Sequence, residues 1–243
     1  MRVLTAPAKL TWSLRITGVR ADGYHLLDAE FVALDLADEV HITAGGHGLS
    51  VGGPYADGVP TDGANIVTRA LAVTGRAAAV HLVKHIPHGG GLGGGSADAA
   101  AVLRWAGVDD VAVAARLGAD VPFCLHGGRA RVGGIGDELT PLAFEARTVT
   151  LVVPPFAVST PAVYRAWDDL DGPTAEGPND LEPAALAVEP RLADWRDRIA
   201  ATTGGRPVLA GSGATWFVEG QRDNALDSLR SEGAAVIVAR TVR

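Results

Sequence analysis

Between Pro87 and Ala100 the chain runs Pro-His-Gly-Gly-Gly-Leu-Gly-Gly-Gly-Ser-Ala-Asp-Ala-Ala, and six of the first nine residues are glycine. Such a run brings backbone rather than side-chain chemistry. Glycine lacks a Cβ and tolerates positive φ, so successive N–H groups can turn toward one point. Val80–Ile86 before it alternates in the manner of a strand. Ser96–Trp105 after it is rich in Ala, Leu and Val and predicts a helix, with Ser96 and Asp98 near its start. A helix N-terminus adds free N–H groups and a partial positive charge of about half a unit. Strand, glycine loop and helix together suit a phosphate. No Lys-Ser or Lys-Thr pair closes the loop, so it is not a Walker A motif. A dinucleotide-binding turn would be expected early in a βαβ series, and this loop follows a strand-rich opening.

Other residues could act on what the loop holds. Asp120 lies among Leu117, Ala119, Val121 and Phe123. A carboxylate in apolar company is paired, caps a turn, or is functional. Lys9 stands at a strand start beside the Ala6-Pro7-Ala8 segment, and on its own reads as a solvated surface lysine, the usual fate of that residue. Tyr24-His25 follows the turn dipeptide Asp22-Gly23 and offers a flat ring beside a directional hydrogen-bonding group, or simply packs its loop.

The elements that must position these groups are legible in outline. Arg2–Thr5 predicts a short strand, broken by Ala6-Pro7-Ala8-Lys9, and Leu10–Ile16 a second. Leu27–Leu36 and Val40–Thr43 continue a sheet, Gly45–Gly63 predicts a hairpin and loop, and Asn65–Thr74 a helix with Asn65 as N-cap. Val111–Leu117 predicts a short helix stopped by Gly118 and Pro122. Arg129–Gly133 and Glu138–Pro141 predict strands around a Gly-Gly-Ile-Gly turn. Beyond them come the strand Val149–Val153 and a helix with Thr160 as N-cap and Pro161 at N1, carrying Tyr164 and Trp167. A polar loop over Leu170–Pro178 and helices from Asn179 and over Pro190–Ala201 follow. The strand Val208–Ala210 turns at Gly211-Ser212-Gly213, and the strand Thr215–Val218, a helix over Asp223–Leu229 and the strand Ala235–Ala239 close the chain. The pattern predicts an α+β architecture in two halves that share an interface.

Composition narrows the function. The 243 residues are 47% hydrophobic and carry a formal net charge of −7, which argues against nucleic-acid binding. An anionic ligand must therefore be held by local N–H groups and a few placed cations. The single Cys124 excludes an intrachain disulfide framework and a Cys-based zinc cluster, and a reducing, cytoplasmic setting is expected. No apolar run approaches the roughly 20 residues of a membrane span, and Met1–Lys9 lacks a signal-peptide layout.

Taken in order, Ala6-Pro7-Ala8-Lys9, Arg20-Ala21-Asp22-Gly23-Tyr24-His25, the Pro87–Ala100 loop, Leu117-Gly118-Ala119-Asp120-Val121-Pro122, Asn179-Asp180 and Gly211-Ser212-Gly213 resemble the landmarks of the GHMP small-molecule kinases. The resemblance implies a two-lobed fold, with a ribosomal protein S5 domain 2-like N-lobe over 1–145 and a ferredoxin-like C-lobe over 146–243. It implies ATP, with Mg²⁺, and a cytidine diphosphate-linked alcohol as the phosphoryl acceptor. Asn65, Pro87, His88, Gly89, Gly90, Gly91, Leu92, Gly93, Gly94, Gly95, Ser96 and Ala97 then fall on the ATP side, and no dedicated metal ligand is implied. Asp120 matches the catalytic aspartate and Lys9 the catalytic lysine. Thr11, Tyr24, His25, Tyr164, Asp180, Gly211, Ser212 and Gly213 fall on the substrate side, with Tyr24 and His25 for a cytosine and Tyr164 as a second aromatic wall. Two positions depart from the family pattern: Thr11 replaces a usual Asn, and Ala97 a usual Ser. Another small alcohol as acceptor, or nucleotide binding without catalysis, are the alternatives. A monomer or homodimer is expected, with neither nucleic acid nor membrane as partner.

Overall fold

The computed structural model describes residues 1–243. Two long strands, β1 (Arg2–Val19) and β2 (His25–Ala44), form its backbone as an antiparallel hairpin. The expected break at Ala6–Lys9 does not occur. The pairing register shifts between Pro7 and Lys9, and the strand continues. Among the strands β1 pairs only with β2, and its other edge is bridged at Leu14 to Asn179 but not at Pro7, where a residue without an N–H is tolerated at a bulge. Lys9 therefore lies inside a strand rather than at its start, and it is buried. β2 likewise runs unbroken through Asp38, whose carboxylate has buried partners.

The second edge of β2 is shared. β4 (Ala78–Val83) pairs with its Glu39–Ala44 end, and β5 (Arg129–Gly133) with Ala29–Val32. β3 (Leu49–Gly52) adds in parallel to β4, where a hairpin was expected, and β6 (Glu138–Pro141) adds to β5. Four helices serve this sheet: α1 (Ile66–Thr74), α2 (Gly94–Ala106), α3 (Val111–Leu117) and α4 (Val121–His126). α2 packs on β1 and β2, with α1 and α4 beside it. Its residues Ala97–Leu103 are all buried, and the small alanines let the helix approach the sheet closely. α4 was not anticipated, because Gly118 and Pro122 read as stop signals. Pro122 instead occupies the first turn of α4, where its missing N–H leaves no bond unmade.

The second half runs β7 (Thr148–Val153), α5 (Thr160–Asp169), α6 (Glu182–Val188), α7 (Arg191–Thr203), β8 (Val208–Leu209), β9 (Trp216–Glu219), α8 (Asp227–Ser231) and β10 (Ala235–Arg240). Its strands lie in the order β10-β7-β9-β8, all antiparallel. Numbered within this half, that is 4-1-3-2 with helices after the first and third strands, the ferredoxin-like arrangement. Ser159, rather than Thr160, is the N-cap residue of α5.

The halves share a core. One apolar cluster joins Ala8, Leu10, Val32 and Leu34 of the hairpin to Val149, Leu151, Phe217 and Ala239 of the second sheet. The C-terminal strand is tied down by Arg240 N–H donating to Asp35 Oδ1 at 2.7 Å and Val242 N–H donating to the Ala33 carbonyl at 2.9 Å. No helix is long and apolar enough to cross a membrane.

Candidate active site

A cleft of about 640 Å³ opens between the halves and is lined by Lys9, Thr11, Tyr24, His25, Gly91, Ser96, Asp120, Tyr164, Gly211 and Ser212 among others. These ten come from six separated stretches of sequence, and all are among the expected site residues, Thr11, Tyr164, Gly211 and Ser212 through the family resemblance alone.

At the centre, Lys9 Nζ lies 3.3 Å from Asp120 Oδ2 and donates to Thr11 Oγ1 at 3.1 Å. The ammonium stands over the Phe31 ring at 4.7 Å. An ammonium carries three N–H groups, so one remains for a ligand. Asp120 occupies the N-cap position of α4 but makes no cap bond. Its carboxylate turns toward Lys9 instead, and its side chain is 31% exposed against 7% for Lys9. A proton acceptor beside a fixed cation thus faces the cleft. Arg104 of α2 keeps the two elements in place, donating to the Cys124 carbonyl of α4 at 2.6 Å and the Thr5 carbonyl of β1 at 3.3 Å.

The glycine loop lies alongside. Gly89, Gly91 and Gly93 have φ of 76°, 75° and 69°, which side chains rarely adopt. Close approach also requires glycine here. A Cβ at Gly91 would stand 2.9 Å from the Gly213 carbonyl oxygen, and one at Gly93 2.6 Å from Lys9 Cγ. From Gly91 to Ser96 no backbone N–H donates to any carbonyl or side chain of the protein. These groups, with the first turn of α2, are free for an anion.

Not every expected residue reaches the cleft. The Leu92 and Ala97 side chains are buried in the core, so these two can offer a ligand only backbone. Asn65 caps α1, accepting from Val67 N–H at 2.8 Å and donating to the Pro60 carbonyl at 2.7 Å. Asp180 is buried away from the cleft lining. It accepts from Arg15 Nη1 at 2.6 Å, Ile16 N–H at 3.0 Å and Ala175 N–H at 3.0 Å, strapping the 170–180 loop to β1. Both of its oxygens are thus engaged within the protein. Asp180→Ala is expected to lower the unfolding free energy by about 2–4 kcal/mol, read by urea titration, with both substrate KM values unchanged. Wild-type stability with a raised acceptor KM would return Asp180 to the binding set.

The far end of the cleft is aromatic. His25 packs on Tyr164 with centroids 4.8 Å apart and on Trp167 edge-on at 5.3 Å, and its Nε2 meets Asp168 Oδ1 at 2.8 Å. Burial, and then the charge of Asp120, push the Tyr164 hydroxyl well above its usual range, so it stays protonated. Tyr24 sits at the rim, 58% exposed, on a turn held by Arg20 N–H donating to the Tyr24 carbonyl at 2.8 Å. Sequence reasoning missed Phe31, Asp168 and Gly136. Phe31 faces Thr11 across the hairpin, which only the pairing register reveals. Gly136 lets the β5–β6 turn lie on Ala119, where a Cβ would stand 3.0 Å from its carbonyl oxygen. Asn179, expected as a helix start and as part of a landmark, organises the Gly211 turn by donating to the Leu209 and Gly211 carbonyls at 2.8 and 2.7 Å. Across that turn, Thr160 and Ser212 share a hydrogen bond of 2.7 Å.

Residues 64–128 match the family model for the GHMP kinases N terminal domain. A 4-diphosphocytidyl-2-C-methyl-D-erythritol kinase of Paracoccus denitrificans is 42% identical over 231 residues, 87% of this chain and 84% of the relative. One from Cereibacter sphaeroides is 41% identical over 241 residues, covering 87% of each. A crystal structure of 4-(cytidine 5'-diphospho)-2C-methyl-D-erythritol kinase aligns over 100% of both chains with a TM-score of 0.81 at 34% identity. Homoserine kinase from Cytophaga hutchinsonii shares the fold, with a TM-score of 0.63 at 17% identity over 100% of this chain and 96% of that one.

Proposed function

The chain belongs to the GHMP kinases, and from that membership we propose that it transfers the γ-phosphoryl group of ATP to the 2-hydroxyl of 4-diphosphocytidyl-2-C-methyl-D-erythritol, a step of isoprenoid precursor synthesis by the non-mevalonate route. One observation carries the chemistry: the Lys9–Asp120 pair faces the same cleft as the unpaired N–H groups that begin at Gly91. The aromatic end with Tyr24, His25 and Tyr164 supports a pyrimidine base at the acceptor end. Segment 1–145 supplies the loop and the Lys9–Asp120 pair in this reading, and 146–243 closes the cleft with α5 and the Gly211 turn.

Phosphoryl transfer asks for alignment and charge neutralisation more than for covalent chemistry. Asp120 accepts the proton of the acceptor hydroxyl as its oxygen bonds to the γ-phosphorus. The bond from that phosphorus to the β–γ bridging oxygen breaks, and ADP leaves with the electron pair. Lys9 holds Asp120 in place and directs its remaining N–H at the forming charge. The free N–H groups of Gly91–Ser96 cradle the phosphates. Ser96 and Asp120 put a hydroxyl and a carboxylate oxygen on this part of the cleft, the donor type that suits Mg²⁺. Bound with the nucleotide, the ion would neutralise phosphate charge. A cytoplasmic setting fits the lone, buried Cys124.

The test is a coupled ADP-release assay with ATP and three alcohols: the cytidylylated methylerythritol, homoserine and mevalonate. Turnover with the first, at least 100-fold above the other two in kcat/KM, is the expected result. Turnover with homoserine or mevalonate alone would reject the assigned acceptor.

A further inference from the structure

Three of the most deeply buried charges of the molecule sit together beneath the glycine loop. Lys84 Nζ donates to Asp38 Oδ2 and to Asp98 Oδ2, and all three side chains are at most 4% exposed. Asp98 Oδ1 has no partner at all. A buried ion cluster with an unsatisfied oxygen is a poor source of stability, since apolar residues of similar volume do as well or better. Its placement suggests another use.

Asp38 Oδ1 also accepts from His85 N–H at 2.6 Å and Ile86 N–H at 2.8 Å, the two residues immediately before Pro87. Asp98 lies on α2, two residues past Ser96. Gly94 rests directly on the cluster, where a Cβ would stand 3.3 Å from Asp38 Oδ2. The cluster thus grips the chain on both sides of the loop. The loop needs such a grip. Its N–H groups make no bonds within the protein, and along Gly91–Ser96 its one backbone bond to β1 is Lys9 N–H to the Leu92 carbonyl at 3.0 Å.

We infer that Asp38, Lys84 and Asp98 are positioning residues for nucleotide phosphate binding, fixing the chain where it runs into the glycine loop and where it leaves into α2. The inference rests on the ATP-dependent reading above. Lys84 is the central member, because it bridges β2, the end of β4 and α2. Without it, two carboxylates face each other in the core and push the flanks of the loop apart. A loop displaced by about 1 Å loses its aim at the phosphates, while the acceptor end of the cleft, built on the His25 end of β2, α5 and the Gly211 turn, is lined by none of the three.

The test compares wild type with Lys84→Met and Asp98→Asn, measuring the ATP Kd by calorimetry and the KM for ATP and for the cytidylylated alcohol. Lys84→Met is expected to raise the ATP Kd and KM at least tenfold and to move the alcohol KM less than threefold. Asp98→Asn keeps shape and an acceptor for Lys84, and is expected to raise the ATP values three- to tenfold with the alcohol KM unchanged. If Lys84→Met fails to fold, Asp98→Asn decides by the same split. ATP values within twofold of wild type in a folded variant, or both KM values rising together, would overturn the inference. A wild-type protein that does not bind ATP would instead reject the kinase reading.

Discussion

Asp120→Asn is expected to lower kcat by about 10²- to 10⁴-fold while leaving the ATP Kd within about threefold of wild type. The loss corresponds to roughly 3–5 kcal/mol of barrier. The substitution is isosteric, so α4 and the contact with Lys9 persist in shape. What disappears is the proton acceptor facing the cleft. Asp120 makes no cap bond to α4, so loss of a helix cap does not confound the comparison. Single-turnover kinetics with saturating ATP separate chemistry from binding. A variant retaining more than about a tenth of wild-type kcat would remove Asp120 as the base.

Lys9→Met is the second large effect. The methionine keeps an unbranched stem of similar length against Gly93, whose α-carbon leaves room for it. The cation 3.3 Å from Asp120 is lost, together with the bond to Thr11. Removal of one preorganised charge from a reacting centre costs about 10²- to 10³-fold in kcat. ATP is held mainly by backbone N–H groups of the loop, so its Kd is expected to change little. The expected signature is a fall in kcat with a nearly unchanged KM for ATP. A rise in KM with kcat preserved would make Lys9 a binding residue instead.

The sequence spoke most clearly where local physics is decisive. The glycine loop, α1 with its Asn65 cap, and the β5–β6 turn are set by φ, capping and turn chemistry, and each lies where expected. It spoke poorly where long-range pairing overrides a local signal. Pro7 does not end β1, because the strand's other edge is unbridged there and absorbs it as a bulge, and that bulge helps seat Lys9 in the interior. Pro122 starts a helix rather than stopping one, and so places Asp120 at its head. The family resemblance puts both Asp180 and Asp120 at the cleft. Only three-dimensional bonding distinguishes them: Asp180 has both oxygens engaged by the 170–180 loop and β1, and Asp120 faces the cleft. The Asp38–Lys84–Asp98 cluster joins residues up to 60 positions apart (38 to 98), so no spacing pattern announces it.

The most direct test of the central claim follows the phosphoryl group itself. Wild-type protein is incubated with γ-³²P-labelled ATP and the cytidylylated methylerythritol, with Asp120→Asn in parallel, and the products are separated. Label on the alcohol, one equivalent per ADP formed and nearly absent with Asp120→Asn, is the expected result. Label recovered only as inorganic phosphate, or transferred equally well by both proteins, would contradict the account.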